Sequence, residues 1–155
     1  MTSFLRILAV AGHVAALQLV AGVMGWWLSP WPWLSLLVTA LWLGVLIMDL
    51  RHPRFAGILP PWQRLVALTL AQSPALVFGG WNMLHFCGLA PQFELGAFVV
   101  QLWLTPLAPL FAWCPAGSLL ERDLWLWALS VAPFVLVIFL TLASRWRRHL
   151  EYKSA

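Results

Sequence analysis

Five long apolar runs constrain this chain more than any other feature of its sequence. The hydrocarbon core of a bilayer is about 30 Å thick, and a helix needs about 20 apolar residues to cross it. Because a backbone inside lipid must satisfy its own hydrogen bonds, we expect each run to be mostly helical. The sequence therefore predicts an all-α, polytopic transmembrane helical bundle that forms one integral membrane domain over residues 1–155. The runs are Phe4–Leu28, Trp31–Leu50, Trp62–Leu84, Phe93–Trp113 and Leu124–Ser144.

The composition excludes a soluble enzyme, a disordered tail and a fibrous protein. Apolar residues make up 63% of the chain and charged residues 9%, whereas soluble domains average about 45–50% and about 25%. The net charge of +4 does not indicate nucleic acid, because the basic residues lie at the ends of the apolar runs. The first run is too long for the core of a signal peptide, so we expect a retained first helix.

The distribution of basic residues favours an even number of crossings. If all five runs cross, five basic residues lie on one side and four on the other. If one run after Arg64 does not cross, eight of the nine lie together and only Arg122 lies opposite. The positive-inside rule favours the second arrangement and puts both termini in the cytoplasm. The eight residues are Arg6, Arg51, Arg54, Arg64, Arg145, Arg147, Arg148 and Lys153.

The run most expected to fail is Phe93–Trp113. Pro106 and Pro109 interrupt it, and two prolines in four residues break a helix. We predict four crossings plus a proline-broken fifth segment that enters from the outer side; the alternative is five crossings. In the four-crossing arrangement Cys87 and Cys114 face the same side and are able to form a disulfide. In the five-crossing arrangement they lie on opposite sides.

The first helix carries small and polar residues along one face. Ala11, Ala15, Gln18, Gly22 and Gly25 follow one another in steps of 4, 3, 4 and 3, so they share a face. Small residues let membrane helices approach closely. The pattern predicts a helix–helix seam in which Gln18 forms an interhelical hydrogen bond. The alternative is that Gln18 faces a ligand.

The third run is the most polar of the five. It contains Gln72, Pro74, the pair Gly79–Gly80 and Asn82, and His85 follows it directly. This pattern predicts a helix kinked at Pro74 and packed in the core. The alternative is a ligand site, because polar groups inside a membrane are costly and mark functional positions.

Two residues of the fourth run extend that alternative. Glu94 lies at the start of the run, near His85. A glutamate–histidine pair at one entrance of such a ligand site is suited to proton transfer. The plainer interpretation of Glu94 is a carboxylate that complements a helix N-terminus. Trp103 lies near the middle of its run, unlike most of the twelve tryptophans, which we expect in interfacial belts. Trp103 is therefore a candidate for lining a pocket.

No cofactor or metal site is predicted. His13 and His85 differ in expected depth by roughly 18 Å at 1.5 Å per residue, which is too far apart for one haem iron. The two cysteines form no metal-binding or redox pair. We expect His13 to be a hydrogen-bonded core residue and Asp49 to pair locally with Arg51.

The absence of a reactive motif predicts a non-enzymatic integral membrane subunit or assembly partner of a larger membrane complex. The alternative is a membrane protein that binds a small molecule (a lipid, a quinone or a solute), as a transporter or an enzyme. The expected partners are the lipid bilayer and either other membrane chains or a second copy. The short loops favour a bacterial inner membrane.

Overall fold

A computed structural model describes residues 3–52 and 59–151, with side chains as far as Ser144. The described chain is an all-α bundle of apolar helices, as predicted. Three helices are long and apolar enough to cross a membrane: α1 (Ser3–Trp27), α2 (Pro32–Arg51) and the part of α7 from Leu124 to Ser144. The whole of α7 extends over Leu124–Glu151.

The third run forms two helices, α3 (Pro61–Ala71) and α4 (Ser73–Phe86), that meet at Gln72. Pro74 has no N–H for the carbonyl of Leu70, and the Ser73 hydroxyl donates to that carbonyl at 2.8 Å. The expected kink at Pro74 is therefore a break at the single residue Gln72. Neither helix alone has the length of a span.

Together, α3 and α4 lie alongside α7 from end to end. At the start of α3, Arg64 donates to the carbonyl of Ser144 in α7. At the end of α4, the Phe86 ring packs on the Trp127 ring, with centroids 5.1 Å apart. The pair therefore connects opposite ends of the bundle.

The fifth segment enters the bundle and returns. It consists of α5 (Glu94–Trp103), a 3-10 turn (Thr105–Leu107) and α6 (Ala108–Phe111), with a bend of 61°. By length and composition it is a fourth span only if both parts are counted as one. We call residues 94–111 the re-entrant hairpin.

Contacts place both ends of the re-entrant hairpin at one end of the bundle. Before it, the Trp81 indole donates to the carbonyl of Pro91 at 3.1 Å. After it, Trp113 lies in a cleft with Trp26 and Trp33. Cys114, next in the chain, lies beside the start of α7. This geometry is the proline-broken segment that the sequence predicts.

We call the end with the α1–α2 turn and the start of α7 the tryptophan end, and the opposite end the basic end. At the basic end the Arg51 guanidinium donates twice to the carbonyl of Ala143, at 2.9 and 2.7 Å. Arg64 is buried and donates to the carbonyls of Leu59 and Ser144. Two arginines thus attach α7 to the start of α3 and the end of α2. Of the other predicted basic-end residues, Arg54 and Lys153 lie outside the described residues, as do the side chains of Arg145, Arg147 and Arg148.

One expected ion pair is wrong. Asp49 binds His13 across α1 and α2, with Oδ2 and Nε2 2.8 Å apart. Arg51 points instead to α7. The packing of α1 on α2 brings His13 next to Asp49. The histidine therefore takes the place of the neighbouring Arg51 as the partner of the carboxylate.

The connection before α7 is a short β-hairpin, with two residues in each strand, that the sequence did not predict. Strands β1 (Ser118–Leu119) and β2 (Arg122–Asp123) pair antiparallel. Leu120 and Glu121 join them with φ values of 51° and 62°. Two-residue hairpin loops take this left-handed conformation, although glycine and asparagine adopt it more easily. The hairpin brings Arg122 next to His85.

Helices α4 and α7 approach each other closely at Gly79. A Cβ built on Gly79 would lie 2.7 Å from the carbonyl oxygen of Ser130. Only glycine therefore fits at this position without movement of the α7 backbone. The hydrophobic core of the described bundle is mainly aliphatic and includes Leu68, Leu104 and Leu140.

Candidate functional site

Three of the six candidate ligand residues meet at the centre of the bundle. The Gln18 amide donates to Gln72 Oε1 at 3.3 Å, and the Gln72 amide donates back to Gln18 Oε1. The Trp103 indole donates to Gln72 Oε1 at 3.1 Å. Gln18 also donates to the carbonyl of Trp103 at 2.7 Å. We call Gln18, Gln72 and Trp103 the amide cluster.

The proline break explains why the re-entrant hairpin needs an outside donor. In a continuous helix the carbonyl of Trp103 would accept the N–H of Leu107. The N–H of Leu107 instead donates to Leu104, at 2.8 Å. The carbonyl of Trp103 would otherwise have no helical partner, and an unpaired buried carbonyl is costly. Gln18 supplies the missing hydrogen bond.

A second contact supports the turn of the re-entrant hairpin from α2. The Thr39 hydroxyl lies within hydrogen-bond distance of the carbonyl of Pro106 and of its own helix at Ser35. It has one proton and donates to one of them at a time. The sequence reasoning missed Thr39, although its spacing of four residues from Ser35 on an apolar helix is a usable signal.

Small residues of α1 let the turn approach. A Cβ on Gly22 would lie 3.7 Å from Pro106 Cδ, and one on Gly25 would lie 3.6 Å from the carbonyl oxygen of Thr105. The predicted small-residue face of the first helix therefore packs against the re-entrant hairpin. Gln18 lies on that same face and is buried.

The amide cluster is chemically suited to holding helices together. Gln18 is 1% exposed and Gln72 is fully buried. Amide groups donate and accept hydrogen bonds but neither ionise near neutral pH nor act as strong nucleophiles. Their donors and acceptors bind one another across α1, the α3–α4 break and α5. The geometry therefore favours an interhelical role over contact with a ligand.

The structure does not bring the other three candidates to this cluster. Asn82 is 8% exposed, and its side chain has no hydrogen bond to the described residues. His85 lies at the tryptophan end, with Nδ1 3.0 Å from the carbonyl of Ala90 and Nε2 3.4 Å from the Arg122 guanidinium. In the tautomer that carries its proton on Nδ1, this nitrogen donates to the carbonyl of Ala90 and Nε2 accepts from Arg122.

Glu94 and His85 do not form the predicted proton-transfer pair in the described residues. Glu94 is exposed in the first turn of α5, and no hydrogen bond or ion pair joins it to His85. Its position is that of a carboxylate near a helix N-terminus. His85 has Arg122 as its neighbour instead, a contact that depends on the unpredicted β-hairpin.

Both cysteines are free thiols, so the disulfide is not formed in the structure. Cys87 is exposed at the end of α4, and Cys114 is partly buried beside the start of α7. Both belong to the tryptophan end. Among the described residues, no group of three His, Cys, Asp or Glu side chains is placed to hold a metal ion.

Two clefts flank the re-entrant hairpin. The first, of about 400 Å³, lies between α6 and the α1–α2 turn; we call it the tryptophan cleft. The second, of about 450 Å³, lies between α6 and the start of α7. Thr105, Ala108 and Ala112 line both. Neither of these two clefts is lined by a charged side chain, and the first lies at the tryptophan end.

Comparison with known protein families finds no match, and comparisons with curated proteins and with solved structures find no similar chain.

Proposed function

We propose that this chain is a non-enzymatic integral membrane subunit that associates with another membrane chain through the outward faces of α1 and α2. One observation carries the proposal. Gly12 and Gly44 lie inside these helices on exposed faces, and a Cβ built on either would meet nothing within 4 Å. Glycine inside a helix costs about 1 kcal/mol relative to alanine. No contact within the described chain offsets that cost.

Each glycine has a small exposed partner four residues away. Gly12 and Ala16 share the outward face of α1, and Ala40 and Gly44 share that of α2. We call each of these pairs a notch. The hydrogen bond between His13 and Asp49 sets the register of the two antiparallel helices. Gly12 lies one residue from His13 towards the basic end and Gly44 lies five residues from Asp49 towards the tryptophan end, so at 1.5 Å per residue the two glycines are about 9 Å apart along the bundle. Pairs of small residues four positions apart let a further membrane helix approach closely.

The residues at the centre of the bundle support a non-catalytic role. The buried amides bind one another, and the nearest ionisable side chains lie at the two ends. We further propose that the basic end faces the cytoplasm, because among the described residues α1, α2, α3 and α7 bring six basic residues to that end. They are Arg6, Arg51, Arg64, Arg145, Arg147 and Arg148. A bacterial inner membrane is consistent with the short connections between the helices.

Native mass spectrometry of the protein extracted from its own membranes in mild detergent tests the association. We expect a complex of fixed stoichiometry, with either a different membrane chain or a second copy. Gly12→Leu and Gly44→Leu should dissociate this complex because they fill both notches. They should leave the isolated chain as stable or more stable, since leucine is the better helix former by about 1 kcal/mol.

Val135→Leu is the matched control, because Val135 is exposed on α7, away from both notches. It should leave the complex intact. A protein that leaves its native membrane only as a monomer, or a complex that survives both glycine substitutions, would contradict the proposal.

A further inference from the structure

We infer that the tryptophan cleft is a lipid site, which takes the ester region and one acyl chain of a bilayer lipid from the leaflet at the tryptophan end. The cleft is bounded by the α1–α2 turn on one side and by the second half of the re-entrant hairpin on the other. Its volume of about 400 Å³ falls within the range of small-molecule sites, about 300–1,000 Å³.

The lining of the cleft selects an uncharged occupant. It consists of apolar and aromatic side chains, proline rings and three hydroxyl residues, with no acidic or basic side chain. The cleft does not favour a headgroup phosphate, because no Lys or Arg side chain lines it. An acyl chain is the membrane component that matches this apolar surface.

Ser35 provides the polar contact. It is 6% exposed, it lines the cleft, and its hydroxyl has no hydrogen bond to any described residue. Thr105, which also lines the cleft, already donates its hydroxyl to the carbonyl of Gln101 at 3.0 Å. The Ser35 oxygen is reachable from the cleft, since the only described side-chain atom that is fully buried without a partner is the indole nitrogen of Trp42. Ser35 is thus a free donor for an acceptor inside the cleft, and the ester carbonyl of a lipid is such an acceptor.

The cleft lies at the position along the bundle where the ester groups of bilayer lipids are expected. Trp26, Trp33 and Trp113 are 71%, 81% and 75% exposed around the cleft. Indole rings concentrate at the headgroup boundary of a bilayer, where the ring is in apolar surroundings and the N–H is wet. Lipid esters occupy the same boundary, so an acyl chain in the cleft would start beside Ser35.

Photolabelling of the full chain in vesicles tests the site. The vesicles contain dioleoylphosphatidylcholine with a subsaturating trace of a phosphatidylcholine that carries a diazirine near the ester end of one chain. After irradiation we expect adducts concentrated in residues 26–36 and 105–113. Ala112→Phe should remove these adducts by filling the cleft. Ser35→Ala should lower their yield about fivefold, as expected for one hydrogen bond of about 1 kcal/mol.

Matched variants keep the test interpretable. Ala108→Phe fills the same cleft from a second exposed position and replaces Ala112→Phe if that variant does not fold. Ile138→Phe adds a ring on the exposed face of α7 and should leave the adducts unchanged. Adducts spread evenly over the exposed residues of α7, or a yield unaffected by filling the cleft, would overturn the site. A yield unchanged in Ser35→Ala would overturn the ester contact.

Discussion

Gln18 and Gln72 bind each other in both directions, amide to amide, 54 positions apart in the chain. This pair joins the middle of α1 to the break between α3 and α4. Through Trp103 it also binds the part of the re-entrant hairpin that lies deepest in the bundle. One buried pair thus connects three segments that cross or enter the bundle.

Gln72→Leu should destabilise the protein. It leaves the Trp103 indole and the Gln18 carbonyl oxygen without partners, and each unpaired buried group costs about 1–3 kcal/mol. We expect a total loss of about 1–3 kcal/mol in reversible unfolding in detergent, since hydrogen bonds in membrane proteins contribute less than this on average. The same loss from Gln101→Leu, an exposed glutamine on the same re-entrant hairpin, would contradict the role of the pair.

Adjacent glycines should respond in opposite directions to alanine. Gly79→Ala places a methyl group 2.7 Å from the backbone carbonyl of Ser130, which cannot yield without moving α7. We expect it to lower the unfolding free energy by about 1–3 kcal/mol. At Gly80 the nearest atom is the tip of the Phe134 ring at 3.8 Å, an ordinary contact. Gly80→Ala should therefore stabilise α4 by up to about 1 kcal/mol. Thermal unfolding of both variants measures this difference, and equal effects would refute it.

Thr39→Val should loosen the turn of the re-entrant hairpin. Valine keeps the shape of the side chain but removes the donor to the carbonyl of Pro106. We expect a loss of about 0.5–1.5 kcal/mol and faster hydrogen exchange at the amides of Leu104 and Leu107. Thr141→Val is the control, because the Thr141 hydroxyl bonds only within α7, to Val137. Exchange in the turn that is equal in the two variants would argue against the contact.

Cys87 and Cys114 should react with a membrane-impermeant maleimide from the same side of a sealed membrane. Both lie at the tryptophan end, and Cys87, being more exposed, should react faster. A cysteine-free chain carrying Ser3→Cys should react from the opposite side, because Ser3 starts α1 at the basic end. Labelling of the two native cysteines from opposite sides would mean that the segment between them crosses the membrane.

The sequence predicted the fold where a single strong pattern controls it. Apolar length predicted α1, α2 and α7, and the two prolines together with the distribution of basic residues predicted that the segment around Pro106 would not continue as a straight helix. It predicted a kink at Pro74, which the structure shows as a break at Gln72. It did not predict the β-hairpin at Leu120 and Glu121, because that hairpin depends on a left-handed turn that these two residues do not favour.

The candidate site was only partly predictable for a related reason. Polarity inside an apolar run identified Gln18 and Gln72, and position in the run identified Trp103. Which residues meet depends on how deep the re-entrant hairpin enters, and no pattern in the sequence encodes that depth. Thr39 and Ser35 were missed because single hydroxyls on an apolar helix are common, whereas their importance comes from the chain that packs against them.

Proline at position 106 has an evolutionary consequence, because in the 3-10 turn an N–H at this position would donate to the carbonyl of Trp103, three residues earlier. A relative that keeps a proline at position 106 must supply a hydrogen-bond donor from a neighbouring helix, and position 18 should stay polar in that lineage. A relative that replaces this proline with a residue carrying an N–H is released from the requirement. Positions 18, 72 and 106 should therefore change together, even though the first and last are 88 residues apart.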